Sequence, residues 1–299
     1  MSDDRTNMIE IEGLVKRFGD QTVLDGINLQ VHPGETMVIM GGSGSGKSTL
    51  LRHMIGTYIP DEGTVKLLGQ DLAEQDEEGL NAIRKQFGIL FQSGALFQSL
   101  TVAENVALPL EEHTDLDANI IDFMVKIKLE LVGLREASHK YPSQISGGMK
   151  KRAGLARALS LDPKILFYDE PSAGLDPVTS ASIDQLMIDL TRKLGVASVV
   201  VTHEMDSAFV IADRMAMLNK GKMIMVDRRE AYEVLRDHPG DRLDELNSDQ
   251  QLIRQFLRGD PEGPMSETHT ENSYEADLLG PDLGKLHGGR SIQTTRRIK

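Results

Sequence analysis

"GGSGSGKST", residues 41–49, follows the apolar run "ETMVIM" and precedes "LLRHMIG", whose apolar residues recur at helical spacing. The stretch fits G-x-x-x-x-G-K-[ST], with Gly41, Gly46, Lys47 and Ser48 at the defining positions. Glycines let a backbone curl until several N–H groups point inward at phosphate oxygens, and the helix that follows adds its positive N-terminal end. Gly42, Ser43, Gly44 and Ser45 fill the loop, and Thr49 belongs to the first helical turn. In this arrangement Lys47 reaches the β- and γ-phosphates and the Ser48 hydroxyl meets Mg²⁺. A mere glycine-rich turn would not need a strand before it and a helix after it. The stretch therefore predicts an α/β fold built around a nucleotide-binding loop.

The bulk composition narrows the class. The chain has 299 residues, 39% hydrophobic and 26% charged, which suits one large domain or a domain with an appendage. There is no cysteine, so disulfides, thiol chemistry and Cys-based zinc sites are excluded. No run approaches the roughly 18 apolar residues of a membrane helix, and the opening "MSDDRTN" lacks the apolar core of a secretory signal. These features point to a soluble, cytoplasmic protein. Lys and Arg total 33 against 46 Asp and Glu, a net charge of −13. That balance argues against nucleic acid as a partner and against broad adhesion to anionic membranes, while leaving room for a small local anion site. The 14 methionines read as core filler.

Patterning along the chain gives the architecture. Alternation in "MIEIEGL" and "TVLDGINLQV", with Gly and Pro punctuation, predicts strands over residues 8–40. "GTVKLLG" and "QFGILF" are further strands. Residues 101–160 change to helical spacing in "TVAENVALPL", "DANIIDFMVKIKLELVGL" and "SGGMKKRAGLARALSLDP". Strand–helix alternation then returns through "KILFYDE", "VTSASIDQLMIDLTRKLG", "VASVVVTHE" and "MAMLNKGKMIMVD". An α/β core with an α-helical subdomain at about residues 93–160 fits this order. From about Asp260 the tail is rich in Gly, Pro, Ser, Thr and charge and cannot bury enough apolar surface to fold alone. Its islands "LIRQFL" and "YEADLL" are candidates for docking, and it ends in the basic cluster "TTRRIK".

A phosphate loop alone does not hydrolyse a nucleotide; something must hold Mg²⁺ and something must handle the attacking water. "ILFYDE", 165–170, is an apolar strand ending in two carboxylates, which strand alternation places on opposite sides. Asp169 is the expected magnesium-side carboxylate and Glu170 the candidate general base. "VASVVVTHE" ends in Thr202 and His203. A lone strand-end histidine is commonly structural. Ligands in open α/β sheets, however, gather at the carboxyl ends of strands, where Lys47, Gln92, Asp169, Glu170 and His203 all fall. In "SQISGGMKKR", Ser146 is a good N-cap, and the N–H groups of Gly147 and Gly148 make a second anion-ready helix end. The bland alternative is a capped surface helix. Two phosphate-ready helix ends with one nucleotide invite the reading that the second serves a neighbouring copy.

The order "RFG", phosphate loop, "LFQ", "SGG", "ILFYDEP", "SAGLD", "VVVTH" resembles the nucleotide-binding subunit of an ATP-binding cassette (ABC) transporter over roughly residues 8–240. The resemblance implies a P-loop NTPase core of the RecA-like kind with an antiparallel β subdomain, a cassette over residues 1–245 and a flexible or partner-docking extension over 246–299. It implies ATP and Mg²⁺ as ligands. Phe18 would stack on adenine, and Gln92 would meet Mg²⁺ or the water. Ser146–Gly148 would contact the ATP of a second copy in a head-to-tail dimer, Asp176 would communicate across that dimer, and His203 would sense the γ-phosphate. The commonest family signature is Leu-Ser-Gly-Gly-Gln, whereas Ile145 and Met149 stand at the outer positions here. "FQSGALF", "EEHTDL", "KLELVGLR", "SGGM", "IRQFLRG" and "YEADLL" narrow the resemblance to ATPases of Mla-type bacterial phospholipid transporters. Those work at the cytoplasmic face of the inner membrane with an integral permease and an MCE-domain lipid-binding protein. A small STAS-domain subunit is a further partner that the resemblance suggests. The apolar "ALF" after Gln92 then reads as surface for the membrane subunit. Three rivals are weaker. A GTPase would need Asn-Lys-x-Asp, but "NKGK" ends in Lys222. A soluble cassette acting on DNA or ribosomes would carry a long coiled coil or a second cassette, and a non-catalytic scaffold would have lost Glu170 or His203.

Overall fold

Apolar–polar alternation over residues 9–31 folds into a half-buried antiparallel sheet. Strand β1 (Ile9–Phe18) pairs with β2 (Gln21–Val31) across a turn at Gly19 and Asp20. The computed structural model describes residues 7–266 and divides into two compact units, one ending at Asp237 and one beginning at His238. In the first unit β3 (Thr36–Met40) leads into α1 (Lys47–Met54), followed by β4 (Glu62–Leu67), β5 (Gln70–Asp71) and α2 (Glu77–Arg84). The chain continues through β6 (Phe87–Leu90), α3 (Val102–His113), α4 (Ala118–Leu131) and α5 (Gly147–Ala158). It then forms β7 (Ile165–Asp169), α6 (Pro177–Leu194), β8 (Ala197–Val201) and α7 (Met205–Ile211). Strands β9 (Arg214–Asn219) and β10 (Lys222–Arg228) and helix α8 (Arg229–Asp237) close the unit.

Two sheets result. The antiparallel one has the order β2-β1-β4-β5, and the six-stranded one β10-β9-β3-β8-β7-β6. In the second, β6, β7, β8, β3 and β9 are parallel and β10 turns back along the edge. Its inner strands are continuous apolar runs, as strands covered on both faces must be; every residue of β3 and β8 is buried. One core joins the two sheets around α1, with Ile11, Leu24, Ile39, Leu50, Phe167 and Val199 among its members. The fold is the α/β core with antiparallel β and α-helical parts that the sequence predicts.

The helical part begins with a capping box, in which Thr101 and Glu104 satisfy each other's backbone at the start of α3. Asp117 caps α4 and Ser146 caps α5. Helix α3 packs on both α4 and α5. Among the described residues no helix is long and apolar enough to cross a membrane.

In the second unit, "LIRQFL" lies in α9 (Ser248–Arg258), opened by a capping box between Asn247 and Gln250 and ended by left-handed Gly259. Ile253 and Leu257 are buried, and Arg254 donates to His238 O and to Asp260. "YEADLL" and "TTRRIK" lie outside the described residues.

Candidate functional site

The strand order decides what meets. With β3, β8, β7 and β6 adjacent and parallel, the segments after them emerge side by side at one sheet edge. These are the glycine loop, Thr202–His203, Asp169–Glu170 and Gln92.

The glycine loop is closed by its own atoms. Lys47 Nζ donates to Gly41 O at 2.7 Å and to Gly42 O at 3.0 Å. Gly41 sits at φ 152, and a Cβ there would fall 2.0 Å from Leu218 O. Only glycine fits, because β9 runs directly behind it. Ser45 is buried with its Oγ unpartnered, while its backbone is held by Gly42 O and Gly221 N. Ser48 is exposed in the first turn of α1 and Thr49 is half-buried behind it. Burial lowers the Lys47 pKa, opposed by the nearby Glu170 and Asp169 carboxylates.

The carboxylates do not sit as strand alternation predicts. Strand β7 ends at Asp169, and Glu170 turns into the left-handed region at φ 50. Its N–H donates to Val201 O at 2.9 Å. Its carboxylate accepts from Thr202 Oγ1 at 3.2 Å and lies 2.8 Å from His203 Nδ1. Desolvation first, and Glu170 second, raise the Asp169 pKa, with Lys151, Arg52 and Lys47 acting the other way. Paired acids crowded against a buried lysine are a site built to receive added positive charge. Among the described residues no cluster of three or more His, Asp or Glu side chains could cage a metal alone. The Asp169 carboxylate and the Ser48 hydroxyl suit Mg²⁺ that takes its remaining ligands from water and phosphate.

Among the described residues, the other predicted side chains make no hydrogen bond to this group. Gln92 is exposed two residues past β6. Phe18 is 45% exposed and stands edge-on to Tyr58, with ring centroids 5.6 Å apart. Ser146 Oγ accepts from Met149 N at 3.3 Å as an N-cap. A Cβ on Gly148 would strike Thr179 at 2.5 Å, so this helix start packs on α6. Among the described residues no hydrogen bond joins Ser146–Gly148 to the glycine loop. Asp176 caps α6, accepting from the N–H groups of Val178 and Thr179 and from the Thr179 hydroxyl at 2.6 Å. The hydrogen bonds from Thr179 hold its pKa low.

The family model described as ABC transporter matches residues 24–173. The chain belongs to the ABC transporter family. As an ABC ATPase it hydrolyses ATP for a transporter. It is 40% identical to the "Probable ribonucleotide transport ATP-binding protein mkl" of Mycobacterium leprae (strain TN), over 94% of this chain and 78% of that protein. It is 38% identical to the "Intermembrane phospholipid transport system ATP-binding protein MlaF" of Escherichia coli (strain K12), over 93% of this chain and 99% of that one. Among solved structures, a dimeric ATP-binding cassette in a post-hydrolysis state with ADP and Pi matches at TM-score 0.68 and 31% identity, covering 74% and 99% of the two chains. The cbiO1 cassette of Clostridium perfringens matches at TM-score 0.72 and 28% identity, covering 80% and 96%.

Two features of this cassette escape the sequence reading. In "FQSGALF" Leu96 is buried while Phe91 and Phe97 are exposed, and Ala95 takes a left-handed φ of 48. "ALF" is therefore not a uniform apolar surface. Lys151, which reads as a helix-start cation in an unfavourable place, is buried with Nζ on Glu170 O at 2.9 Å. Nothing local in the sequence signals that bond, since its partner is a backbone carbonyl.

Proposed function

We propose that this cassette pairs head to tail with a second copy at the cytoplasmic face of a bacterial inner membrane. There it powers a permease that moves phospholipid, or a related hydrophobic substrate, between that membrane and the outer envelope. The carrying observation is the carboxylate of Glu170, aimed by Thr202 and His203 beside a closed glycine loop. In this reading Glu170 takes the proton of the attacking water, and His203, from the neighbouring strand, holds that carboxylate and senses the γ-phosphate. Residues Gly41–Thr49 wrap the phosphates, and Phe18 supports the adenine. Lys47 exchanges its two loop carbonyls for phosphate oxygens. Mg²⁺, held by Ser48, Asp169 and Gln92, would neutralise charge building on the phosphates. Exposed Ser146 and Gly147, with Gly148, serve the ATP of the partner copy, and Asp176 links the two sites. Because ATP touches both copies, it favours the closed pair.

The permease reading is supported by a cleft of about 730 Å³ lined by Ile55, Arg84, Phe87, Pro109, Arg157 and Phe91, the residue before Gln92. The lipid reading is supported by relatives named for phospholipid transport that match along almost their whole length. An MCE-domain protein, reached through the permease, and a small STAS-domain subunit complete this reading as further partners. In this reading the cassette spans residues 1–245, with its helical subdomain at about 93–160, and residues 246–299 are an extension that is partly disordered or docks a partner.

The mkl relatives favour a second reading, transport of ribonucleotides. Purification from native membranes with the associated permease, followed by mass spectrometry of bound small molecules, separates the two. Co-purifying phospholipid is the expected result; ribonucleotide bound to the permease without lipid overturns the lipid assignment.

A further inference from the structure

We propose that Lys151 is a positioning residue for ATP hydrolysis. It fixes the left-handed turn of Glu170 and ties that turn to the helix whose N-terminus is Ser146–Gly148. The inference rests on the reading of Glu170 as the residue that handles the attacking water.

Lys151 is an improbable residue where it stands. It lies in the second turn of α5, near the helix end where the macrodipole disfavours a cation, and it is only 5% exposed. Burying an ammonium is costly unless it is bonded and balanced. Its Nζ is bonded to the main-chain oxygen of Glu170, and it is balanced by the charges of Asp169, Glu170 and Glu204. A salt bridge to a side chain would follow that side chain; a bond to a carbonyl holds the backbone.

That backbone needs holding. A non-glycine residue at φ 50 is strained by about 1–3 kcal/mol and persists only where its surroundings impose it. Three bonds impose it here. Glu170 N–H donates to Val201 O at 2.9 Å, and Glu170 O accepts from Ala173 N at 3.3 Å and from Lys151 at 2.9 Å. The first comes from the neighbouring strand and the second from within the turn. Lys151 supplies the only one of the three from the helical part of the unit, and it is shorter than the turn's own bond. If it is lost, the Glu170 carbonyl is left with only the longer bond from Ala173 N, and the turn that aims the carboxylate is less firmly fixed.

The same helix grips the other catalytic loop. Arg157, six residues on, donates to Ala95 O at 2.8 Å and to Gly94 O at 3.3 Å. Helix α5 therefore carries Ser146 at its tip, the Glu170 turn on Lys151 and the segment after Gln92 on Arg157. A partner's nucleotide pressing on Ser146–Gly148 acts on a helix already bonded to the backbone of the residue that carries the hydrolytic carboxylate.

The test is steady-state ATPase kinetics of the full chain with its permease, for Lys151→Met, Lys151→Arg, Glu170→Gln and the double variant Lys151→Met/Glu170→Gln. Lys151→Met keeps the side-chain bulk and removes the donor. It is expected to lower kcat about tenfold or more while KM for ATP stays within about twofold. Lys151→Arg, which restores a charged donor, is expected to recover most of the rate. In the Glu170→Gln background, Lys151→Met should change the residual single-turnover rate by less than about twofold, because the positioned group is already gone. An equal fall in both backgrounds, or a rise in KM that matches the fall in kcat, assigns Lys151 to folding alone and overturns the proposal. Wild-type turnover in Lys151→Met beside an inactive Glu170→Gln also overturns it. Wild-type turnover in Glu170→Gln overturns the reading of Glu170 itself. Should Lys151→Met not fold, Lys151→Leu against Lys151→Arg gives the same contrast, a slow variant against a fast one.

Discussion

Gly41 shows what a single residue contributes. It is the point where the last residue of β3 must turn under Leu218, and any side chain there would occupy the Leu218 carbonyl. Gly41→Ala is expected to cost about 1–3 kcal/mol in backbone strain, before any clash is relieved. The displaced loop should lose ATP affinity by about tenfold or more. Fluorescent-nucleotide titration beside a thermal melt checks both. Unchanged affinity would mean that the loop tolerates a displaced Gly41. At this scale legibility in the sequence follows the range of the interaction. Lys47, Ser48 and Asp169 are readable because their partners lie a few residues away or follow from strand ends. Lys151 is not, because its bond crosses 19 residues to a main-chain atom. The Glu170 turn is not, because extended alternation gives no warning of a positive φ.

Two polar side chains hold elements together, and each carries a prediction. Asn105 is buried in α3; its Nδ2 donates to Phe97 O, Leu100 O and Thr101 O, and its Oδ1 accepts from Phe97 N at 2.8 Å. It stitches the segment after Gln92 to the helical part of the unit. Asn105→Ala strands the Phe97 groups and should destabilise the protein by about 2–4 kcal/mol, measured by urea denaturation. Coupled transport should fall more than basal ATPase activity. Asp184 of α6 accepts from the Ser207 hydroxyl of α7, and both are buried. Desolvation, reinforced by Glu204, raises the Asp184 pKa above its usual 3.8. The native state therefore binds this proton more tightly than the unfolded chain. The protein loses stability from this group as pH rises from about 3.8 through the raised native value. Asp184→Asn can still accept from Ser207 and carries no charge. It should match the parent in melting temperature below that window and exceed it at neutral pH. A variant that is less stable at neutral pH would show that the charge itself is needed. Element order was legible from periodicity at nearly every step. The packing of α3, α4 and α5 was not, since helical spacing tells which face is apolar but not which helix it meets.

At the scale of the molecule, the chain holds one complete phosphate loop and one exposed helix start that hydrogen bonding leaves apart from it. Glu170→Gln with ATP and Mg²⁺ is expected to form a stable dimer, while the nucleotide-free protein stays monomeric. Light scattering with and without ATP decides this; a monomer under both conditions would sink the head-to-tail pairing. Sequence order carried the family because its motifs are short and ordered, yet the sheet that gathers them is assembled out of order. Strand β8, from residues 197–201, is inserted between β3 and β7. During synthesis, therefore, until β8 and β9 are made, β3 is bare on both edges and β7 on one. The nucleotide loop has no finished sheet behind it until Val201 has left the ribosome, and β9 must still follow on the other side of β3. A nascent cassette of this topology cannot finish the sheet behind its nucleotide loop until most of its chain has been made.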